Sequence, residues 1–86
     1  MNLEFTGSFR KKAKKLCHKD RQLRVALIKQ FSIFQENFNH PSLKLHKLQG
    51  KRSQQYAIWI HGNVRALGIK NKDEFIFFDL VTHDQY

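Results

Sequence analysis

Leu23, Leu27, Phe31, Phe34 and Phe38 recur at intervals of four, four, three and four residues. That spacing lines one face of an α-helix and predicts a helix packed against a sheet or a second helix. A weaker stripe precedes it: Phe9, Ala13 and Leu16, with Cys17 beside them, ringed by Arg10, Lys11, Lys12, Lys14 and Lys15. It predicts a first helix, with Thr6 or Ser8 available as N-cap. Asp20 either caps the second helix or marks a kink in a continuous one. Before both, Asn2 to Thr6 alternates around Leu3 and Phe5 and reads as a short strand. The helical half ends at Asn37-Phe38-Asn39-His40-Pro41, because the residue before a proline disfavours the helical region.

After Pro41 the period falls to two. Leu43, Leu45 and His46-Lys47-Leu48 predict a strand ending at Gly50. Gln54 to His61 predicts a second, with Tyr56, Ile58 and Ile60 on one face and Ala57, Trp59 and His61 on the other. Trp59 is expected in the core rather than as a platform for a base. Gly62-Asn63 is a hairpin turn signal. Val64 to Lys70 follows, with Val64, Ala66 and Gly68 opposite Arg65, Leu67 and Ile69. Asn71 to Glu74 makes the next turn, Phe75 to Val81 is apolar enough for a central strand, and Thr82 to Tyr86 is a short polar tail. The order β-α-α-β-β-β-β predicts one α+β domain over residues 1–86, with two N-terminal helices covering one face of a small antiparallel or mixed sheet.

Charge adds what the pattern does not. Sixteen Lys and Arg against seven Asp and Glu give a formal +9 in 86 residues, a balance suited to a polyanion or an acidic protein partner. The excess is uneven. Residues 44–72 carry seven basic side chains and no acid, whereas residues 73–86 carry four acids and no Lys or Arg. Mutual repulsion in the first block favours its being covered by an anion or an acidic chain. The single cysteine, Cys17, rules out an internal disulfide framework and a thiolate metal cluster. No apolar run approaches the roughly 18–20 residues of a membrane span, and no signal peptide opens the chain, so the expected setting is reducing and cytoplasmic.

No cofactor or metal motif is present. The histidines, His18, His40, His46, His61 and His83, form no H-E-x-x-H pair, and the glycines form no phosphate-binding loop. Carboxylates are too sparse for paired-carboxylate hydrolysis. Cationic and imidazole chemistry remains, carried by His46, Lys47, Lys51, Arg52, Arg65, His83 and Tyr86. These residue types suit a metal-free ribonuclease. RNA brings its own nucleophile, the 2′-hydroxyl. Imidazoles serve as base and acid, a guanidinium answers the charge on the phosphate, and aromatic rings stack unpaired bases. His18 and His40 read as structural, and His61 as a surface residue at a turn.

The order of elements, the opening Phe9-Arg10-Lys11-Lys12-Ala13-Lys14-Lys15-Leu16, the string Asn39-His40-Pro41, then His46-Lys47-Leu48-Gln49-Gly50, Arg65 and Thr82-His83-Asp84-Gln85-Tyr86 together resemble the RelE/ParE toxin superfamily. The likeness spans essentially the whole chain and is nearest to the YafQ branch. It implies the toxin of a type II toxin–antitoxin system, an endoribonuclease cutting mRNA in the ribosomal A site, with a cognate antitoxin as partner. Residue by residue, the H-x-L-x-G pattern of the YafQ branch falls on His46, Leu48 and Gly50, which implies a catalytic His46. The catalytic arginine of RelE-like and YoeB-like members falls on Arg65, the late catalytic histidine on His83, and the C-terminal aromatic near Tyr86. Lys47, Lys51 and Arg52 are then expected RNA contacts, and Lys11, Lys12 and Lys15 contacts to ribosomal RNA. The chain departs from the YafQ branch at two places. A further histidine of that branch falls on Ile60, with His61 one residue away, and its Asp-Trp pair falls on Val64-Arg65. The resemblance leaves open which histidine is acid and which is base. A ParE-like, non-catalytic inhibitor of DNA gyrase and a plain basic nucleic-acid-binding protein are the alternatives.

Overall fold

The computed structural model describes residues 2–52 and 54–82. Strand β1 (Asn2–Phe5) leads into helices α1 (Gly7–Lys19) and α2 (Arg21–Glu36), and a single 3-10 turn at Pro41–Leu43 follows. Then come β2 (His46–Lys47), a second 3-10 turn at Gly50–Arg52, β3 (Gln55–His61), β4 (Val64–Asn71) and β5 (Glu74–Thr82). The five strands form one sheet in the order β1-β5-β4-β3-β2. β1 runs parallel to β5 and every other pair is antiparallel, so the first strand closes against the last. The expected architecture is the observed one.

Side chains settle the points the sequence left open. Thr6 Oγ1 accepts from the Phe9 backbone N–H at 3.1 Å and caps α1. Asp20 Oδ1 accepts from the N–H groups of Gln22 and Leu23 and caps α2, so the chain turns a corner there rather than kinking. Both caps satisfy donors that have no partner inside a helix.

The core lies between the helices and one face of the sheet. Phe9 of α1 and Leu23, Leu27, Phe31 and Phe34 of α2 meet Ile58, Ile60, Ala66, Phe75, Phe77 and Leu80 of the strands. Phe31 meets Phe77 edge-on with centroids 4.8 Å apart, and Phe34 meets Phe75 likewise at 5.0 Å. Each fully buried ring stabilises the fold by about 2–3 kcal/mol, which is how so small a chain holds together. A second, smaller cluster of Leu48, Ala57, Leu67 and Val81, with Phe78 against it, occupies the opposite face. It keeps that outer face dry at its centre and leaves its rim to polar side chains.

Two local readings change. The strand expected from Leu43 to Gly50 shrinks to His46–Lys47. His40 Nδ1 accepts from the Ser42 N–H at 3.1 Å and caps the 3-10 turn that follows, and Lys44 ends that turn in the left-handed region at φ 49°. Neither geometry continues a strand. On the neighbouring strand, pairing with β4 slips between Trp59 and His61, and His61 comes to face Val64, a residue packed on the helix-side core. The bulge therefore turns His61 away from Trp59 and toward α2, where it lines a shallow cleft with Arg21, Val25 and Lys29.

Candidate functional site

The sheet's register assembles a face from residues far apart in sequence. His46 pairs with Ala57 across β2 and β3, and Ala57 pairs with Leu67 across β3 and β4. One step along, Trp59 pairs with Arg65, which pairs with Val81. Directly paired residues project to the same side, and residues two apart on a strand do as well. His46, Trp59 and Arg65 thus share the face turned away from the helices. Ordinary sheet spacing separates the His46 and Arg65 backbones by about 12 Å, within range of two long side chains leaning together.

A chain of contacts links the three. The His46 Nδ1 lies 3.0 Å from the carbonyl oxygen of Lys44. A carbonyl only accepts, so this bond requires the hydrogen on Nδ1. In the neutral ring the lone pair is then on Nε2, directed away from the contact. Lys44 Nζ sits over the Trp59 ring, 5.4 Å from its centroid. Trp59 Nε1 donates to the Gly62 carbonyl at 2.8 Å, and Arg65 Nη1 donates to the same oxygen at 3.3 Å and to the Val64 carbonyl at 3.3 Å. Among the described residues, these bonds engage one of Arg65's terminal nitrogens and no other Arg65 donor is bonded.

Behind the face, Gln30 of α2 is 3% exposed and its Nε2 donates to the carbonyls of Ser42 at 3.2 Å and Trp59 at 3.0 Å. It ties the turn that leads into Lys44 and His46 to the strand that carries Trp59. A buried amide among apolar side chains is retained only when its hydrogen bonds are made. Here both go to the two segments that present the site.

The other expected residues divide. Lys51 is exposed on the turn after β2. Lys47 pairs with Tyr56, a helix-side residue, so it lies on the opposite face from His46. Adjacent strand residues point to opposite sides, so Lys47 does not share the face of His46. Lys11 and Lys15 are exposed on α1, in the helix layer and away from His46 and Arg65. Lys12 is engaged with Asp79 at 2.9 Å and joins α1 to β5. Trp59, expected in the core, belongs to neither apolar cluster and stands on the site's face instead. Alternation with Ala57 was the signal that could have placed it there. The side chain of Arg52, and His83 and Tyr86 entirely, lie outside the described residues. Among the described residues no three His, Cys, Asp or Glu side chains gather in a way that would hold a metal ion, and no helix is long and apolar enough to cross a membrane.

No family model matches the sequence, and no curated protein matches it. Solved structures do. YafQ from Escherichia coli BL21(DE3) superposes with a TM-score of 0.76 over 98% of this chain and 94% of its own, at 17% identity. A YoeB/ParE toxin from Agrobacterium tumefaciens superposes at 0.78 over 96% and 99%, at 13% identity. The E. coli DinJ–YafQ toxin–antitoxin complex contains a chain matching at 0.75 over 98% and 93%, at 19% identity. Over essentially its whole length, this chain has the fold of the YafQ and YoeB/ParE toxins.

Proposed function

We propose that this protein is the toxin of a type II toxin–antitoxin pair, a cytoplasmic endoribonuclease that cuts mRNA on the ribosome without a metal ion. The observation that carries the reading is the Nδ1–H bond from His46 to the Lys44 carbonyl, which leaves Nε2 as a base on the face that also carries Arg65. His46 Nε2 takes the proton of a 2′-hydroxyl, and the freed oxygen attacks the adjacent phosphorus. Arg65 answers the charge that grows on the phosphoryl oxygens. The bond to the 5′-oxygen breaks as that oxygen receives a proton from His83, the acid assigned by resemblance. The products are a 2′,3′-cyclic phosphate and a 5′-hydroxyl. The basic segment 44–72 is the surface an acidic antitoxin segment covers, which also excludes RNA. YafQ, of the same fold, has been crystallised with DinJ in such a pair.

The test is single-turnover cleavage of ribosome-bound mRNA in EDTA-treated components, restoring only the Mg²⁺ that ribosomes require. End-group analysis should find 5′-hydroxyl ends, and the rate should be bell-shaped in pH, falling where the base is protonated and where the acid is deprotonated. A 5′-phosphate product, or an H46A/H83A double variant cutting at the parent rate, rejects the mechanism. Inhibition of DNA gyrase without RNA cleavage assigns the chain to the gyrase-directed class instead.

A further inference from the structure

We propose that the indole of Trp59 is the platform on which one unpaired base of the bound RNA stacks, with Lys44 and Arg65 meeting the phosphates on either side of that base. The proposal rests on the reading that RNA occupies the His46–Arg65 face.

The first observation is where the chain spends its aromatic rings. All eight phenylalanines lie within an apolar cluster or pack against one. Trp59, the sole tryptophan, does neither, and it forms no ring-to-ring contact among the described residues. A side chain this large, held on a solvent-facing sheet surface, is not explained by core packing.

The second is that the ring is held in place before any ligand arrives. Its Nε1–H is bound to Gly62 O at 2.8 Å, and the Trp59 backbone carbonyl is bound by buried Gln30 at 3.0 Å. A fixed ring loses little freedom on stacking, which favours binding.

The third is its surroundings. Lys44 lies over the ring and Arg65 directly across the strand pair. Among the described residues, the only ion pair is Lys12 with Asp79, and no described carboxylate pairs with Lys44 or Arg65. A single exposed cation on an aromatic face is held more weakly than a stacked base. The base takes the ring face, and the displaced ammonium, on its flexible stem, turns to the adjoining phosphate. An apolar protein segment would leave these two cations unanswered, whereas a nucleotide satisfies ring and cations together. Stacking reads the π-face that all four bases share, so the platform tolerates sequence and positions the strand rather than selecting it.

Because Trp59 is the only tryptophan, its fluorescence reports on this contact alone. The probe is a short single-stranded oligodeoxynucleotide, uncleavable because it lacks the 2′-hydroxyl, titrated at low salt. The expected result is quenching on binding. A fully abasic oligonucleotide of the same length should bind about tenfold more weakly and leave the emission unchanged. W59F should retain affinity within about threefold, and W59L should lose about tenfold, with circular dichroism confirming its fold. Equal binding of intact and abasic strands, binding without quenching, or no binding to either strand overturns the proposal. So does quenching by an acidic peptide but not by the oligonucleotide, which would assign the ring to a protein partner. The abasic comparison needs no variant, so a misfolded W59L does not remove the test. Quenching that survives in a chain with no cleavage activity would sink the enzymatic reading and leave the platform standing. Cleavage without quenching would do the reverse.

Discussion

Trp59 and Arg65 donate to one oxygen, the carbonyl of Gly62, from opposite strands of the β3–β4 hairpin. The turn glycine, at φ +56°, thereby orients both a ring and a guanidinium toward the same face. A non-glycine residue there would be strained in the left-handed region.

Arg65 is expected to act on the chemical step. Phosphate charge grows toward the transition state, so R65A should lower the single-turnover rate about 10²- to 10³-fold while weakening ribosome binding much less. R65K should restore only part of the rate, since an ammonium cannot reproduce the guanidinium fork. Equal losses in binding and rate would show that Arg65 serves attachment alone.

Gln30 is expected to matter for stability and for the site at once. Q30L leaves the Ser42 and Trp59 carbonyls without their donor in the interior and should destabilise the chain by about 1–3 kcal/mol in urea denaturation. Near-ultraviolet circular dichroism should also change, because the Trp59 backbone loses its tie to α2. A variant as stable as the parent would mean that water reaches both carbonyls.

Gly68 is packed too tightly for any side chain. A Cβ there would lie 2.7 Å from Phe75 Cε1, 2.9 Å from the Ile76 carbonyl oxygen and 2.9 Å from Phe77 Cδ1. The carbonyl belongs to the neighbouring strand and cannot swing aside. G68A should therefore destabilise by about 1–3 kcal/mol, measured as a lower urea midpoint with an unchanged slope.

Cys17 is expected to be a poor nucleophile. Burial pushes its thiol up, Arg24 pulls it back and Asp20 adds to the rise. The neutral form is thus favoured more in the folded chain than in the unfolded one. Its contribution to stability is complete below the unfolded thiol's pKa and declines as pH rises from there toward the folded value. Alkylation by iodoacetamide should be slower in the folded chain than in urea at pH 7.5, and the difference should narrow at alkaline pH. Rapid modification of the folded chain at neutral pH would contradict the shift.

The helices, and the faces of β3 and β4 apart from His61, were legible from spacing. Leu23, Leu27, Phe31 and Phe34 are buried as their spacing required, and Tyr56, Ile58 and Ile60 face the core together. Periodicity is a local property of the backbone, so a sequence states it directly. His46 and Arg65 were candidates by residue type and resemblance. That they share a face with Trp59 depends on the pairings His46–Ala57 and Trp59–Arg65, which join segments separated by turns. The His61 reversal depends on a bulge in the pairing of two strands, and neither strand encodes it alone. The closing of β1 beside β5 joins residues some seventy positions apart. The sequence by itself determined the elements, their buried stripes and the excess of positive charge, because these follow from residue type and spacing along one chain. The tertiary structure alone decided which strand edges meet, in what register, and hence which side chains stand together, because hydrogen bonds between distant segments set those relationships.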